Sequence, residues 1–451
     1  MSAVDPAATS GLGRYIGEWR PEDPDFWEST GKSLAWKTLW ITTANLIMAF
    51  IAWFLVSAMV VRLPNIGFKF TPNELFWLAA MPGLAGGTLR IIHTFLVPLY
   101  GTRLVVSLST LSLLLPLIGW FYAVQDITTP YWVLMTLAFL AGLGGGNFSS
   151  FMPSTSLFFP KRLQGTALGI QAGIGNFGVS IVQFVTPWVV GFALFGSLLG
   201  EPQTFTKGAA TSSIWLQNAA FVYIPLVVAF GVLGWMTLKS VPVRANFSSQ
   251  LDIFKEKHNW TMTSLYVMTF GSFSGFSATF PLLIRQVYGT MPDAPDPLTY
   301  AFLGPLVGSV VRVLAGPVSD RFGGAIVTQI SGIGLLVCAL IVPLYTSPTS
   351  MADFPYFVGA MLGLFFFAGI GNASTFKQIP MIMPPRQAGG VIGWTGAVAA
   401  YGPFLFGSLF GMSFAYTGSP NAFFYGAAVF YVINIGINWW FYSRSGAEKP
   451  C

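Results

Sequence analysis

Apolar positions along the chain neither alternate with polar ones nor form one-sided stripes; they fall in long, nearly unbroken runs. Runs of roughly 20 residues, the length that crosses a bilayer as a helix, recur at 39–61, 74–98, 104–124, 131–156, 165–195, 215–238, 259–284, 299–317, 325–346, 354–380, 388–414 and 421–442. This pattern predicts an all-α integral membrane protein with twelve transmembrane helices. The one substantial polar interval, 239–258, divides it into two six-helix halves, 39–238 and 259–442, flanked by an amino-terminal segment, 1–38, and a tail, 443–451. An even number of spans puts both termini on one face. Of the 22 Lys and Arg, fifteen fall on that face. Four (Arg62, Lys69, Lys207, Arg285) fall on the other, and three (Arg90, Arg312, Lys377) lie inside spans. By the positive-inside rule the termini are expected in the cytoplasm.

Composition narrows the class. Only 8% of residues are charged and 54% are hydrophobic, whereas a soluble domain carries about a quarter of its residues as charges. The 50 glycines suit helices packed closely in lipid. The net charge of +6 follows the topology and implies no nucleic-acid partner. Two histidines and two isolated cysteines, Cys338 and Cys451, offer no disulfide, no metal centre and no nucleophile–base constellation. Neither an enzyme nor a cofactor is therefore expected. The polar-leaning residues before the first run, with no cleavage site after a short apolar core, lead us to expect no cleaved signal peptide.

The two halves echo each other. Arg90 lies in the second span and Arg312 in the second span of its own half. Gly86 and Gly308 precede them by four residues, and Gly101 and Gly323 follow by eleven. Ala141-Gly142-Leu143-Gly144 in the fourth span is matched by Ala368-Gly369-Ile370-Gly371 in the tenth. Parallel repeats of this kind place a substrate site near the midplane, between the halves. The stretch Gly316-Pro317-Val318-Ser319-Asp320-Arg321-Phe322-Gly323-Gly324 resembles the cytoplasmic loop signature of the major facilitator superfamily. The resemblance implies that superfamily's fold, with Asp320 and Arg321 as a latch. The matching Pro98-Leu99-Tyr100-Gly101-Thr102-Arg103 lacks the acid.

Arg90 and Arg312 carry the chemistry. A guanidinium inside the membrane costs several kcal/mol at least, and all sixteen acids lie in termini, loops or span ends. The expected partner is an anion from outside the chain. Two planar forks on matching helices suit one small planar oxyanion better than the point charge of Lys would. Gly165, Gly169 and Gly173, with Gly389 and Gly393, recur every four residues; such small faces serve close packing, a sliding gate, or both.

Ala141-Gly142-Leu143-Gly144-Gly145-Gly146-Asn147-Phe148, running on to Gly173-Ile174-Gly175-Asn176, resembles the first signature of the nitrate/nitrite porter family. Ala368-Gly369-Ile370-Gly371-Asn372-Ala373-Ser374-Thr375-Phe376 resembles the second. Leu265-Tyr266-Val267-Met268-Thr269-Phe270-Gly271-Ser272-Phe273 and Trp19-Arg20-Pro21-Glu22-Asp23-Pro24 are similar to segments of its respiratory members. The resemblance spans essentially the whole chain. It implies that Arg90 and Arg312 hold nitrate or nitrite, with Asn176, Tyr266, Phe148 and Phe270 around the ion and Gly175 among the gating glycines. Lys377 departs from members with a neutral residue there; it is either a snorkelling lysine or a third cation. His93, one turn past Arg90, is either a packing residue or a group facing the same cavity.

Without a membrane-embedded acid to titrate, two uncompensated guanidiniums should resist closure of the halves until an anion neutralises part of their charge. The expectation is nitrate/nitrite antiport by alternating access, in a functional monomer. Proton symport through Lys377 or His93 is the alternative, and a non-transporting nitrate sensor is a reading of a different class.

Overall fold

A computed structural model describes residues 14–242 and 248–451. Residues 1–13 of the amino-terminal segment and 243–247 of the linker lie outside the described residues. The helices are α1 (Lys32–Met59), α2 (72–100), α3 (102–123), α4 (Tyr131–Ser156), α5 (Lys161–Val189), α6 (Asn218–Thr237), α7 (Lys257–Tyr288), α8 (Leu298–Phe322), α9 (Gly324–Tyr345), α10 (Met351–Ile382), α11 (Gln387–Thr417) and α12 (Asn421–Ser443). Eleven continuous helical stretches are long and apolar enough to cross a membrane among the described residues. The 52-residue stretch Pro72–Ala123 is two of the twelve crossings, because Gly101 interrupts it with φ 77° and ψ 161°.

That break explains the matched glycine spacing. Gly101 ends α2 and Gly323 ends α8, each at positive φ (77° and 89°), where a side chain would be strained. Each therefore turns the chain sharply into the next helix, eleven residues past its arginine. Helix α2 starts as abruptly: the Thr71 hydroxyl accepts from the Glu74 amide, the Glu74 carboxylate accepts from Thr71, and Pro72 opens the first turn.

The repeat extends to packing. A methyl on Gly145 of α4 would sit 2.7 Å from the Gly86 Cα of α2, and one on Gly369 of α10 would sit 3.0 Å from the Gly308 Cα of α8. The same bare backbone crossing thus occurs once in each half. Gly86 also lies against Trp53 of α1, as Gly308 lies against Phe273 of α7. A buried aromatic of each half's first helix thereby wedges the crossing beneath its arginine. Large apolar side chains such as Trp132, Leu314 and Val429 point outward instead, as a lipid-facing surface requires.

On the face carrying the termini, the amino-terminal segment forms a strap. Ile16 donates to the Ser240 carbonyl (2.9 Å), the Trp19 indole to the Leu157 carbonyl (3.0 Å), and Glu22 accepts from the Lys161 amide (2.8 Å). Helix starts already within 1–38, at Pro24, and passes through a π turn at Trp27–Gly31 into α1. Helix α7 likewise begins at Lys257, inside the expected linker. The tail docks too: Cys451 accepts from the Ala325 amide (3.0 Å). On the opposite face a hairpin, β1 (Gln203–Lys207) and β2 (Ala210–Ile214), joins α5 to α6.

The halves touch from the level of the arginines to the hairpin face. Gln183 of α5 donates to the Ser277 carbonyl of α7 (2.8 Å), the hydroxyls of Thr88 and Tyr401 share a hydrogen bond (2.8 Å), and Arg62 pairs with Asp296 (2.6 Å). Toward the terminal face, Gly165 and Gly169 of α5 and Gly389 of α11 meet nothing within 4 Å. The molecule is closed on the hairpin face, and these glycine positions face open space near the termini.

Candidate anion site

Arg90 is wholly buried, and backbone rather than carboxylate holds it: Nε donates to the Gly145 carbonyl (2.9 Å) and Nη1 to the Gly396 carbonyl of α11 (2.8 Å). The Gly145 bond follows from the glycine crossing, which brings α4 backbone within reach of α2. The remaining Nη2 has no partner. Arg312, 7% exposed, leaves its Nη1 unpartnered as well. Among the described residues neither guanidinium is ion-paired, in contrast to Arg20 and Arg62, which meet carboxylates.

Aromatic rings join the two cations. The Arg90 guanidinium lies 4.5 Å from the Phe148 ring and 5.2 Å from Phe270, and Arg312 lies 6.0 Å from that same Phe270 ring. Tyr266 stacks on Phe270, with centroids 5.4 Å apart and planes 8° from parallel. The chain reaches this stack through a π turn at Val267–Gly271, a local widening common at functional sites. The Tyr266 hydroxyl lies beside Arg312 without a hydrogen bond of good geometry. Asn176 is fully buried with both amide atoms unpartnered. It lies one turn from Gly173, which meets Val313, the neighbour of Arg312. Unmade hydrogen bonds cost about 1–3 kcal/mol per buried group. Two guanidinium N–H groups, a phenol and an amide thus retain hydrogen-bonding capacity that a ligand could take. Flat rings between two forks suit a small planar anion.

The other expected residues lie elsewhere. His93 faces away, toward α4, where its Nδ1 shares a hydrogen bond with Ser150 (2.9 Å) and its ring packs on Gly146. Lys377 forms an ion pair with Asp320 between α10 and the end of α8. Arg321, the other expected latch residue, lies 5.4 Å over the Phe322 ring. Of the glycines, Gly173 and Gly393 face the opposite half, at Val313 and Thr94; Gly175 packs on Leu46 of α1; Gly165, Gly169 and Gly389 line open space.

Two site aromatics are additions to the sequence reading. Trp53 places its ring 5.2 Å from Arg90 while its indole donates to the Pro82 carbonyl (2.9 Å). Its position in mid-span, away from the interfaces where Trp concentrates, was the available signal. Phe376 lies 5.0 Å from Tyr266 and 5.9 Å from Arg312; it closes the second glycine-rich signature.

Comparison with known proteins identifies the family. Residues 41–366 match the Major Facilitator Superfamily. The chain is 67% identical to the probable nitrate/nitrite antiporter NarK2 of Thermus thermophilus, over 98% of this chain and 99% of that protein. It is 37% identical to the nitrate/nitrite transporter NarU of Escherichia coli (strain K12), over 96% and 97%. Among solved structures, a bacterial homolog of the human lysosomal transporter Spinster, inward-facing and unoccupied, superposes with a TM-score of 0.64 at 15% identity, over 90% of this chain and 97% of that one; this likeness concerns the fold. The chain belongs to the Major Facilitator Superfamily, in its nitrate/nitrite porter family.

Proposed function

We propose that the protein exchanges nitrate for nitrite across the cytoplasmic membrane of a bacterium, by alternating access, as a monomer with both termini in the cytoplasm. One observation carries this reading: two buried guanidiniums, each with an unpartnered N–H, flank a single aromatic ring with no carboxylate paired to either. The names of the relatives support the substrates. An anion shared by the forks offsets the repulsion between them in a medium of low dielectric. The loaded site can then close, whereas the unloaded one resists closure. Phe148, Phe270 and Tyr266 cover the faces of the flat ion, and Asn176 and Tyr266 add donors at its edge.

Proton symport would need a titrating group at the site. His93 is engaged with Ser150 and Lys377 with Asp320, an arrangement that favours exchange. The test uses purified protein in liposomes loaded with nitrite or with chloride. Nitrate should enter only against internal nitrite, unmoved by an inward proton gradient. Entry into chloride-loaded vesicles driven by that gradient would overturn exchange.

A further inference from the structure

Only four basic residues were expected on the face opposite the termini, and three of them meet at one place. Arg62 just beyond the end of α1, Lys207 from the hairpin and Arg285 from α7 line a cavity of about 340 Å³ at the seam between the halves, with Asp296 as its one carboxylate. Their bonds cross the seam. Arg62 pairs with Asp296 (2.6 Å), Arg285 donates to the Val61 carbonyl (2.9 Å) and to Asn65, and Lys207 donates to the Ala294 carbonyl. These contacts break whenever the halves part on this face. Three cations against one acid leave the seam positive. Arg62, 6% exposed and lying over the Phe205 ring at 5.7 Å, keeps a buried Nε without a partner. A latch alone needs one cation per acid; here the donors exceed the acceptors, at the entrance above the central site.

We propose that this seam is a second, weaker site for a small monovalent oxyanion. The arriving ion meets the ammonium of the exposed Lys207, competes with Asp296 for Arg62, and gains the buried, unpartnered Nε of Arg62 as the ion pair that holds this face shut loosens. The inference rests on the reading that the protein carries such anions. It assigns their first docking point and makes the ligand itself the key to the latch. Positive clefts of this kind raise local anion concentration and capture rates.

The test measures half-saturation for nitrate from each face separately, in right-side-out and inside-out membrane vesicles with saturating nitrite on the opposite side. Lys207→Gln, on an exposed hairpin where folding is undemanding, should raise the hairpin-face value about threefold or more. Asp296→Asn should lower it, and neither variant should shift the terminal-face value by the same factor in the same direction. A latch without an anion site predicts the same sign for both variants, since each removes a cross-seam contact. Same-sign shifts, or equal shifts at both faces, therefore overturn the proposal. No exchange in wild-type vesicles would instead overturn the proposed function, and this site with it.

Discussion

Arg90 is bonded to both halves at once, to Gly145 in its own and to Gly396 in the other. The side chain proposed to hold the anion thus also ties the halves together, and on that reading a switch of access exchanges the Gly396 bond for another partner. Arg90→Lys keeps the charge but has one donor point where the fork has three directions. Charge-assisted hydrogen bonds are worth about 1.5–3 kcal/mol each, so losing one or two should cut nitrate/nitrite exchange by about a hundredfold. Elution volume and helical circular dichroism should stay unchanged; exchange within threefold of wild type would show that charge alone suffices. Asn176 invites the opposite experiment. Both of its amide atoms are buried and unpartnered, so Asn176→Leu removes a desolvation penalty of about 1–3 kcal/mol. We expect the variant to unfold at a higher temperature than wild type without anion, and to lose most of the stabilisation that nitrate gives wild type. Lower stability of the anion-free variant would mean that the amide is satisfied in the membrane. Tyr266→Phe keeps the stack on Phe270 and deletes only the hydroxyl; we expect about a tenfold rise in half-saturation with the maximal rate little changed.

At the scale of elements, the arginines are placed by two helix crossings that tolerate no side chain. A methyl on Gly369 would meet both the carbonyl and the Cα of Gly308, whereas a methyl on Gly426 of α12 would meet nothing within 4 Å. Gly369→Ala should therefore lower stability by about 1–3 kcal/mol, the usual range for overpacking. Gly426→Ala should be neutral or slightly stabilising, because alanine is the better helix former. Thermal unfolding in detergent decides between them, and equal midpoints would show that α10 can shift without loss. The crossings were legible in the sequence as matched spacings around Arg90 and Arg312, because the repeat forces equal geometry on equal residues. The twelve helices were legible because lipid demands long apolar runs. What stayed hidden lacks such a rule. The π turn at Val267–Gly271 leaves no trace in an apolar helix, and the hairpin at 203–214 is too short and polar to stand out. The strap binds through scattered anchors, the Trp19 indole and the Glu22 carboxylate, that follow no period. His93 was set beside the cavity or in the packing by its spacing from Arg90, and Lys377 stood out only as a cation at the end of the second signature. Spacing fixes a face only to within a wide angle, and Ser150 and Asp320 decided where each side chain points.

For the whole molecule, the halves are joined from the level of the arginines to the hairpin face, whereas Gly165, Gly169 and Gly389 near the termini face open space. That asymmetry has a direct chemical readout. Gly389 meets open space, while Ser277 is fully buried where Gln183 of the opposite half reaches its carbonyl. Native cysteines interfere little: Cys338 is buried, and burial pushes the Cys451 thiol up to about 11, which leaves little reactive thiolate at neutral pH. In a Cys451→Ser background, Gly389→Cys should react with a membrane-impermeant maleimide added from the terminal face without anion, and Ser277→Cys should be protected from both faces. If an anion between the guanidiniums is what permits closure, nitrate on both sides must change both results together. Labelling at Gly389→Cys should fall, and labelling at Ser277→Cys from the hairpin face should appear, because each passage through the loaded state opens one seam by closing the other. Chloride at equal ionic strength should do neither if the site demands a planar ion with several acceptors. Reaction of Ser277→Cys without any anion would show that the unloaded protein already alternates, and obligate exchange would then fail at its physical root, the repulsion between Arg90 and Arg312.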